Sequence, residues 1–405
     1  MRALRVLRIG PSCTVQDRGR VGYLGQGLSQ GGAADTLALA EGAALLRQDA
    51  GLAALEMAGM GGLFEASAPM RIALTGAQMV ATLDGAPLVW NASHRIEPGQ
   101  RLEIGAAKRG VYGYLHVGGG FATPELLGAR AAHLVAALGA PVTKGDTLPV
   151  GAEVLPAARQ VTGLGLRVAD RFSGGELRLV ESFQSDLFPP EVRRRFAETP
   201  FTPGRRASRM ALQLMSEGAG FAAEGQLNVL SEIIVPGDVQ MTGDGRPFLL
   251  LREAQTTGGY PRIGTVLPCD LSRAVQAAAG AVLRFRWVTL EDGLAQQAAH
   301  EAAVAALPSA CRPLLRDPAD MTDLLSYQLI GGAISAEADP FETGAETWAR
   351  PSIWTPIWAR ALAPGPWAMM RRCWMSYPPP ILPAGSMRVI RMWWRWPWRG
   401  HATTG

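Results

Sequence analysis

From Ala53 to Val117 the chain repeats one kind of unit, a short apolar run closed by glycine: LEMAG, GGLFEA, MRIALTGA, MVATLDG, APLVWN, RLEIG, YGYLHVGGG. Glycine this frequent weakens any helix, whereas strands recurring about every ten residues between turns build a barrel or sandwich. Asp84-Gly85 is a good hairpin turn within this array. Glu56 lies inside an apolar run, where an unpaired carboxylate is costly, so it points outward or meets a partner. His116, between Leu115 and Val117, could be a site residue but reads rather as a packed or surface-exposed histidine.

A second glycine-rich stretch, Leu230 to Val266, sets apolar runs Ser231 to Val235 and Pro247 to Leu251 against polar turns at Thr242 to Arg246 and Gln255 to Arg262. Such turns let backbone N–H groups approach a ligand, with Gln240, Asp244, Gln255, Thr256, Thr257, Gly258, Gly259, Tyr260 and Arg262 at hand. The other reading is two hairpin turns whose Asp and Thr groups satisfy their own backbones.

The rest of the chain frames these stretches. Leu4 to Ile9 alternates as a strand and leads into a polar turn with Gln16, Asp17 and Arg20, of which Asp17 and Arg20 can pair locally. Asp35 sits where a helix N-cap would, ahead of Leu37, Ala40, Ala44 and Leu45 at helical spacing. Residues 1–150 are expected to form one β-rich lobe, 151–166 a linker, 165–292 a second lobe and 293–338 a helical end. Within the second lobe, Glu176 to Glu181, Ala211 to Leu214 and Leu283 to Leu290 read as strands, and Pro190 to Ala197 and Glu291 to Ala306 as helices.

Several function classes fall away. The net charge of +4 comes from scattered arginines, which argues against nucleic acid. No apolar run is long enough to span a membrane and Met1 to Gly10 is no signal peptide, so a cytoplasmic protein is expected. The four cysteines are far apart, and no HExxH, GxSxG or Rossmann fingerprint occurs. The HVGGG turn is reminiscent of a phosphate cradle, yet there is no GxxxxGK[ST]. What is left is a metal-free, Gly/Thr/Gln-rich site suited to a small amide, urea or lactam, with Asp244 as a carboxylate and Arg262 as a cation.

GDG-x-P followed by an apolar strand and QTTGGYP resembles the signature of the allophanate hydrolase subunit 2 family, and TVQDRGRVGY, GGAAD, ALEMAGMGG and ALTGA match it in the same order. The family includes KipA-type regulators, the carboxyltransferase region of urea amidolyase and the C subunit of 5-oxoprolinase. The resemblance implies a mainly β protein of two lobes, the second a cyclophilin-like barrel, with a few short helices. It implies a subunit that helps an ATP-dependent complex open 5-oxo-L-proline to L-glutamate and is inactive alone. A carboxyltransferase acting on urea, and a KipA-like protein countering a kinase inhibitor, are the alternatives. The implied partners are the KipI-like (B) and LamB/YcsF-like (A) subunits of 5-oxoprolinase, with ATP and Mg at the level of the complex and no biotin attachment site here. Thr256, Thr257 and the Gly258-Gly259 backbone then become donors to a developing oxyanion, Gln255 orients the ring amide, and Arg262 holds a carboxylate or phosphate. The turn with Gln16, Asp17 and Arg20, together with Asp35, Glu56, Gln240 and Tyr260, belongs to the substrate-binding face. Arg262, Gly31 and Tyr112 depart from the family pattern, which often has Lys, Ser and Arg there.

Beyond about Ala338 the composition changes: nine of the eleven tryptophans lie between Trp348 and Trp398, among prolines and without a core pattern. Back-translated with a one-base shift, segments of this tail resemble the start of a LamB/YcsF protein. Residues 339–405 are therefore expected to be disordered and translated out of frame from an adjoining gene.

Overall fold

The computed structural model describes residues 2–153, 155–223 and 229–315. All lie in the first of two units into which the chain divides, residues 1–316. The expectations for the tail, and for the helical end beyond 315, fall outside the described residues.

The glycine-punctuated array folds as an antiparallel sheet in the order Arg312–Pro313, Leu164–Gly165, Ala92–Ile96, Met70–Leu83, Arg101–Val117, Gly62–Ala66, Ala3–Ile9, Thr147–Pro149. MRIALTGA and MVATLDG, read above as two strands, are one strand of 14 residues, and RLEIG and YGYLHVGGG belong to one of 17. The interruptions are bulges rather than turns: the register between these two strands slips repeatedly from Gly76 to Ala81. Bulges bend a long strand, and here the bend lets Arg101–Val117 pair with Gly62–Ala66 along one half and with Ala54–Ala58 along the other. Gly76 is required at the bend, because its φ is +73° and a Cβ there would lie 2.4 Å from the Tyr112 carbonyl. Asp84 and Gly85, with φ of 49° and 84°, make the expected hairpin turn.

The second sheet runs Thr202–Ala207, Ala211–Met215, Pro247–Leu250, Asp238–Met241, Arg262–Val266, Gly174–Val180, Val282–Trp287. Phe201, just before the first of these strands, exchanges two 2.8 Å backbone hydrogen bonds with Leu283 in the last, so the sheet closes into a barrel. Its filling is aromatic. Phe196, Phe201, Phe221 and Phe285 pack tilted or edge to face, with centroids 4.8 to 5.7 Å apart, each burial contributing about 1.5–3 kcal/mol.

Helix α1 (Thr36–Leu46) packs on the first sheet. Helix α2 (Pro190–Glu198) plugs the barrel with Phe196. Helix α3 (Pro268–Gln276), too short to leave a clear period in the sequence, faces strand Gly174–Val180. Helix α4 (Leu290–Ala305) starts at Thr289, whose hydroxyl accepts from Asp292 N at 3.1 Å. No described helix is long and apolar enough to cross a membrane. One hydrophobic core contains the barrel interior together with Ala33, Ala34, Ala38, Tyr112 and Tyr114 of the first lobe, so the lobes share packing at the GGAAD loop.

Candidate functional site

The GGAAD loop is held by a polar network between the two sheets. Asp35 caps α1, accepting from Ala38 N at 3.1 Å through Oδ1, while its Oδ2 accepts from Arg171 Nε and Gln276 Nε2, both at 2.8 Å. Arg171 closes a two-pronged pair on Glu41 at 2.8 and 2.7 Å. Burial alone would lower the Arg171 pKa, and Asp35 and Glu41 together more than reverse it. Glu56 does meet partners: it accepts from Tyr114 OH at 2.6 Å, from Ala34 N at 2.8 Å and from Arg209. Arg209 also donates to Glu253 Oε1 at 2.5 Å and to the Gly32 carbonyl. Four carboxylates, Asp35, Glu41, Glu56 and Glu253, thus share two arginines, and each accepts from one of them.

Beside the network opens a cleft of about 450 Å³. One wall is Gly27, Leu28 and Ser29, another His133, Val135 and Ala136, and the third the run Glu253 to Thr257. Glu253 therefore belongs to both features, with Oε1 on Arg209 and the residue lining the cleft. His133 Nε2 lies 2.9 Å from Ser29 Oγ, and its Nδ1 accepts from Ala136 N at 3.2 Å, a proton shared with the His133 carbonyl. Burial lowers the His133 pKa, opposed by the charge of Glu253.

Of the residues singled out in the sequence, the cleft gathers Gln255, Thr256 and Thr257. The others are placed elsewhere. Asp244 is at an exposed hairpin tip, bound to Thr242 Oγ1 at 2.5 Å and to Arg246 at 3.0 Å; the Thr242 hydroxyl is the main reason its carboxyl is held below the usual range. Arg262 is buried and committed to Gln184, the Ile233 carbonyl, Asp238 and Glu232. Gly258 pairs with Glu232 in a two-stranded ribbon, Gly259 is exposed, and Tyr260 is half exposed. Gln240 is buried beneath that ribbon, its Nε2 without a hydrogen-bond partner and 2.7 Å from where a Gly258 Cβ would be.

The N-terminal turn is largely internal. Gln16 donates to Thr14 and to the Ala132 carbonyl, and Asp17 accepts from Gly19 N and Arg130 N. Arg20 donates to the Leu126 and Ala129 carbonyls. Asp17 and Arg20 thus form no direct ion pair, because each finds backbone partners in 123–132 first. Arg20 Nη1 and Gln16 Oε1 are buried without a partner. The HVGGG turn is no phosphate cradle: its three glycine N–H groups are spent on Arg71 O, Gln48 Oε1 and Val117 O. His116 is packed, with Nε2 2.8 Å from Thr75 Oγ1, and burial lowers it to about 3.

Ser29, His133 and Glu253 were not read from the sequence. None of the three stands in a motif read above, and their signal is convergence in space.

Residues 26–287 match the family model described as carboxyltransferase domain, subdomain A and B. The chain is 30% identical over 287 residues to the 5-oxoprolinase C subunit of Haemophilus influenzae, covering 71% of this chain and 92% of that protein. It is 31% identical over 297 residues to the 5-oxoprolinase C subunit of Escherichia coli, covering 72% and 93%. The solved structure of TTHA0988 superposes with a TM-score of 0.64 at 30% identity, over 71% of this chain and 56% of that one. The Kluyveromyces lactis urea amidolyase, at 19% identity, shares the fold with a TM-score of 0.67 over 78% of this chain and 21% of its own. The chain belongs to the carboxyltransferase-domain family of subdomains A and B.

Proposed function

We propose that this chain is one subunit of a 5-oxoprolinase, acting with partner subunits in the opening of 5-oxo-L-proline to L-glutamate. The observation that carries the reading is the likeness, at 30% and 31% identity over more than nine-tenths of their length, to two proteins named as the C subunit of 5-oxoprolinase. The cleft supports it chemically. A lactam presents one N–H and one carbonyl oxygen, and the cleft is lined by a carboxylate, Glu253, and by hydroxyl and amide groups from Ser29, Gln255, Thr256 and Thr257.

An unactivated amide carbonyl is a poor electrophile, and ATP with Mg enters this reading as a co-substrate of the whole complex. On this chain the HVGGG turn offers no free donors to a phosphate, its three glycine N–H groups being spent within the fold. No step is therefore assigned to ATP on this chain. Its residues bind and orient the amide, and the KipI-like and LamB/YcsF-like partners complete the reaction.

A second reading, a carboxyltransferase component acting on urea, is favoured by the family model itself. Both are tested by co-expressing the full chain with the two partner subunits and following 5-oxoproline-dependent ATP hydrolysis and glutamate release, with urea as the control. Turnover of 5-oxoproline that requires this chain supports the first reading. An assembled complex inert to 5-oxoproline but active with urea replaces it with the second.

A further inference from the structure

The direction of the hydrogen bonds around His133 fixes what Ser29 can offer. A backbone N–H can only donate, so the contact from Ala136 N makes His133 Nδ1 an acceptor. A neutral imidazole with Nδ1 accepting carries its proton on Nε2. That proton points to Ser29 Oγ at 2.9 Å, so the serine oxygen accepts and its own proton is left to point elsewhere. Among the described residues Ser29 Oγ has no second partner, and Ser29 lines the cleft. Both side chains are more than nine-tenths buried, so the pair is a built feature of the wall. Of the charged groups acting on His133, Arg20 and Arg209 lower its pKa as burial does and Glu253 opposes them; burial is the largest influence and the shift is downward, which favours the neutral ring. Glu253, with Oε1 taken by Arg209, lines the same cleft, and a carboxylate can only accept. A carboxylate there suits an N–H group.

We propose that the cleft recognises the edge of a neutral amide, with the Ser29 hydroxyl donating to its carbonyl oxygen, Glu253 accepting its N–H, and His133 a neutral positioning residue that aims the serine proton. Ser29 is accordingly no nucleophile and His133 no base, although their pairing resembles one. The lactam as the amide in question rests on the function proposed above; the hydrogen-bond polarity does not.

Two measurements on the full chain separate these. In the first, 15N NMR of histidine-labelled protein reads the tautomer, and 5-oxoproline or urea is then added. His133 protonated on Nε2, with a signal that shifts on adding either amide, is the expected result. Protonation on Nδ1, or no shift with either probe, overturns the proposal. In the second, the complex with its partner subunits is assayed. Ser29→Ala raises the KM for 5-oxoproline about tenfold with kcat little changed, the loss of one hydrogen bond. Ser29→Thr keeps the donor, and His133→Gln can still donate to Ser29, so both stay within about threefold, whereas His133→Phe matches Ser29→Ala. A collapse of kcat in both Ser29→Ala and His133→Gln would make the pair a nucleophile and base and overturn the proposal. A wild-type complex inert to 5-oxoproline refutes the substrate reading alone, and the NMR result with urea then decides the proposal by itself.

Discussion

Asp35 and Asp244 pose the same local signal: each is an aspartate in a glycine-bearing turn, and each ends up bonded to an arginine, at 2.8 Å to Arg171 and 3.0 Å to Arg246. Their settings are opposite. The Asp35 side chain is 0% exposed and also serves a helix N-terminus and Gln276, whereas that of Asp244 is 60% exposed and touches only its own turn. Water screens the second pair and solvates either partner if the other is lost. No water replaces a lost partner in the first. A close ion pair therefore says little until its burial is known, and the sequence motif that draws the eye is here the less committed of the two.

The sharpest way to break this contrast is Arg171→Met, which leaves Asp35 and Glu41 buried without their cation. A loss of about 3–5 kcal/mol is expected in urea denaturation of the full chain. Adding Glu41→Leu to Arg171→Met should recover part of that loss, because the stranded charge goes too. If the single substitution cost no more than Arg246→Met at the exposed turn, the network would not be the structural tie described here.

A smaller effect is expected from acid. His116 is held near 3, below the ordinary 6.5 of histidine, because burial disfavours its charged form. The neutral ring's contribution is present above 6.5 and is lost as pH falls from 6.5 toward 3, at up to about 1.4 kcal/mol per pH unit. Glu41 runs the other way: burial pushes it up to about 7, so its contribution is present below 4.5 and lost as pH rises through 7. The two slopes oppose each other between pH 4.5 and 6.5. His116→Gln should remove the first, so that wild type loses stability relative to the variant by about 2–3 kcal/mol over that window. Parallel curves for the two proteins would mean that His116 is not held neutral. Next in size is Arg262→Lys, since an ammonium cannot reach the partners of the guanidinium fork together; about 1–2 kcal/mol is expected from denaturation midpoints.

The same contrast explains what could be read in advance. Strand content was legible because glycine spacing and apolar runs are local, and so was the Asp35 cap, which needs only the next three residues. The partners that make Asp35 structural, Arg171 and Gln276, lie 136 and 241 positions away. Gly76 looked like a turn because glycine marks bulges and turns alike. Ser29 and His133 are 104 positions apart, and neither sits in a motif. The QTTGGYP run did lead to the cleft through Gln255, Thr256 and Thr257, but its glycines and Tyr260 belong to an outward ribbon, and Arg262 is spent on holding that ribbon down.

Asp244 itself gives the smallest effect and the most informative one. Asp244→Asn should leave the denaturation midpoint where it is, because the turn keeps the backbone bonds from Thr242 N to Arg246 O and from Gly245 N to Thr242 O. It should also leave the NMR response of His133 to 5-oxoproline intact, since Asp244 does not line the cleft. Turnover in the complex is the remaining reading. A fall in turnover with both other measurements unchanged would assign the carboxylate to chemistry or contact completed by a partner subunit, the one setting in which an exposed pair can matter as much as a buried one. A shifted midpoint would show instead that the exposed turn is coupled to the fold after all, and the contrast with Asp35 would fail.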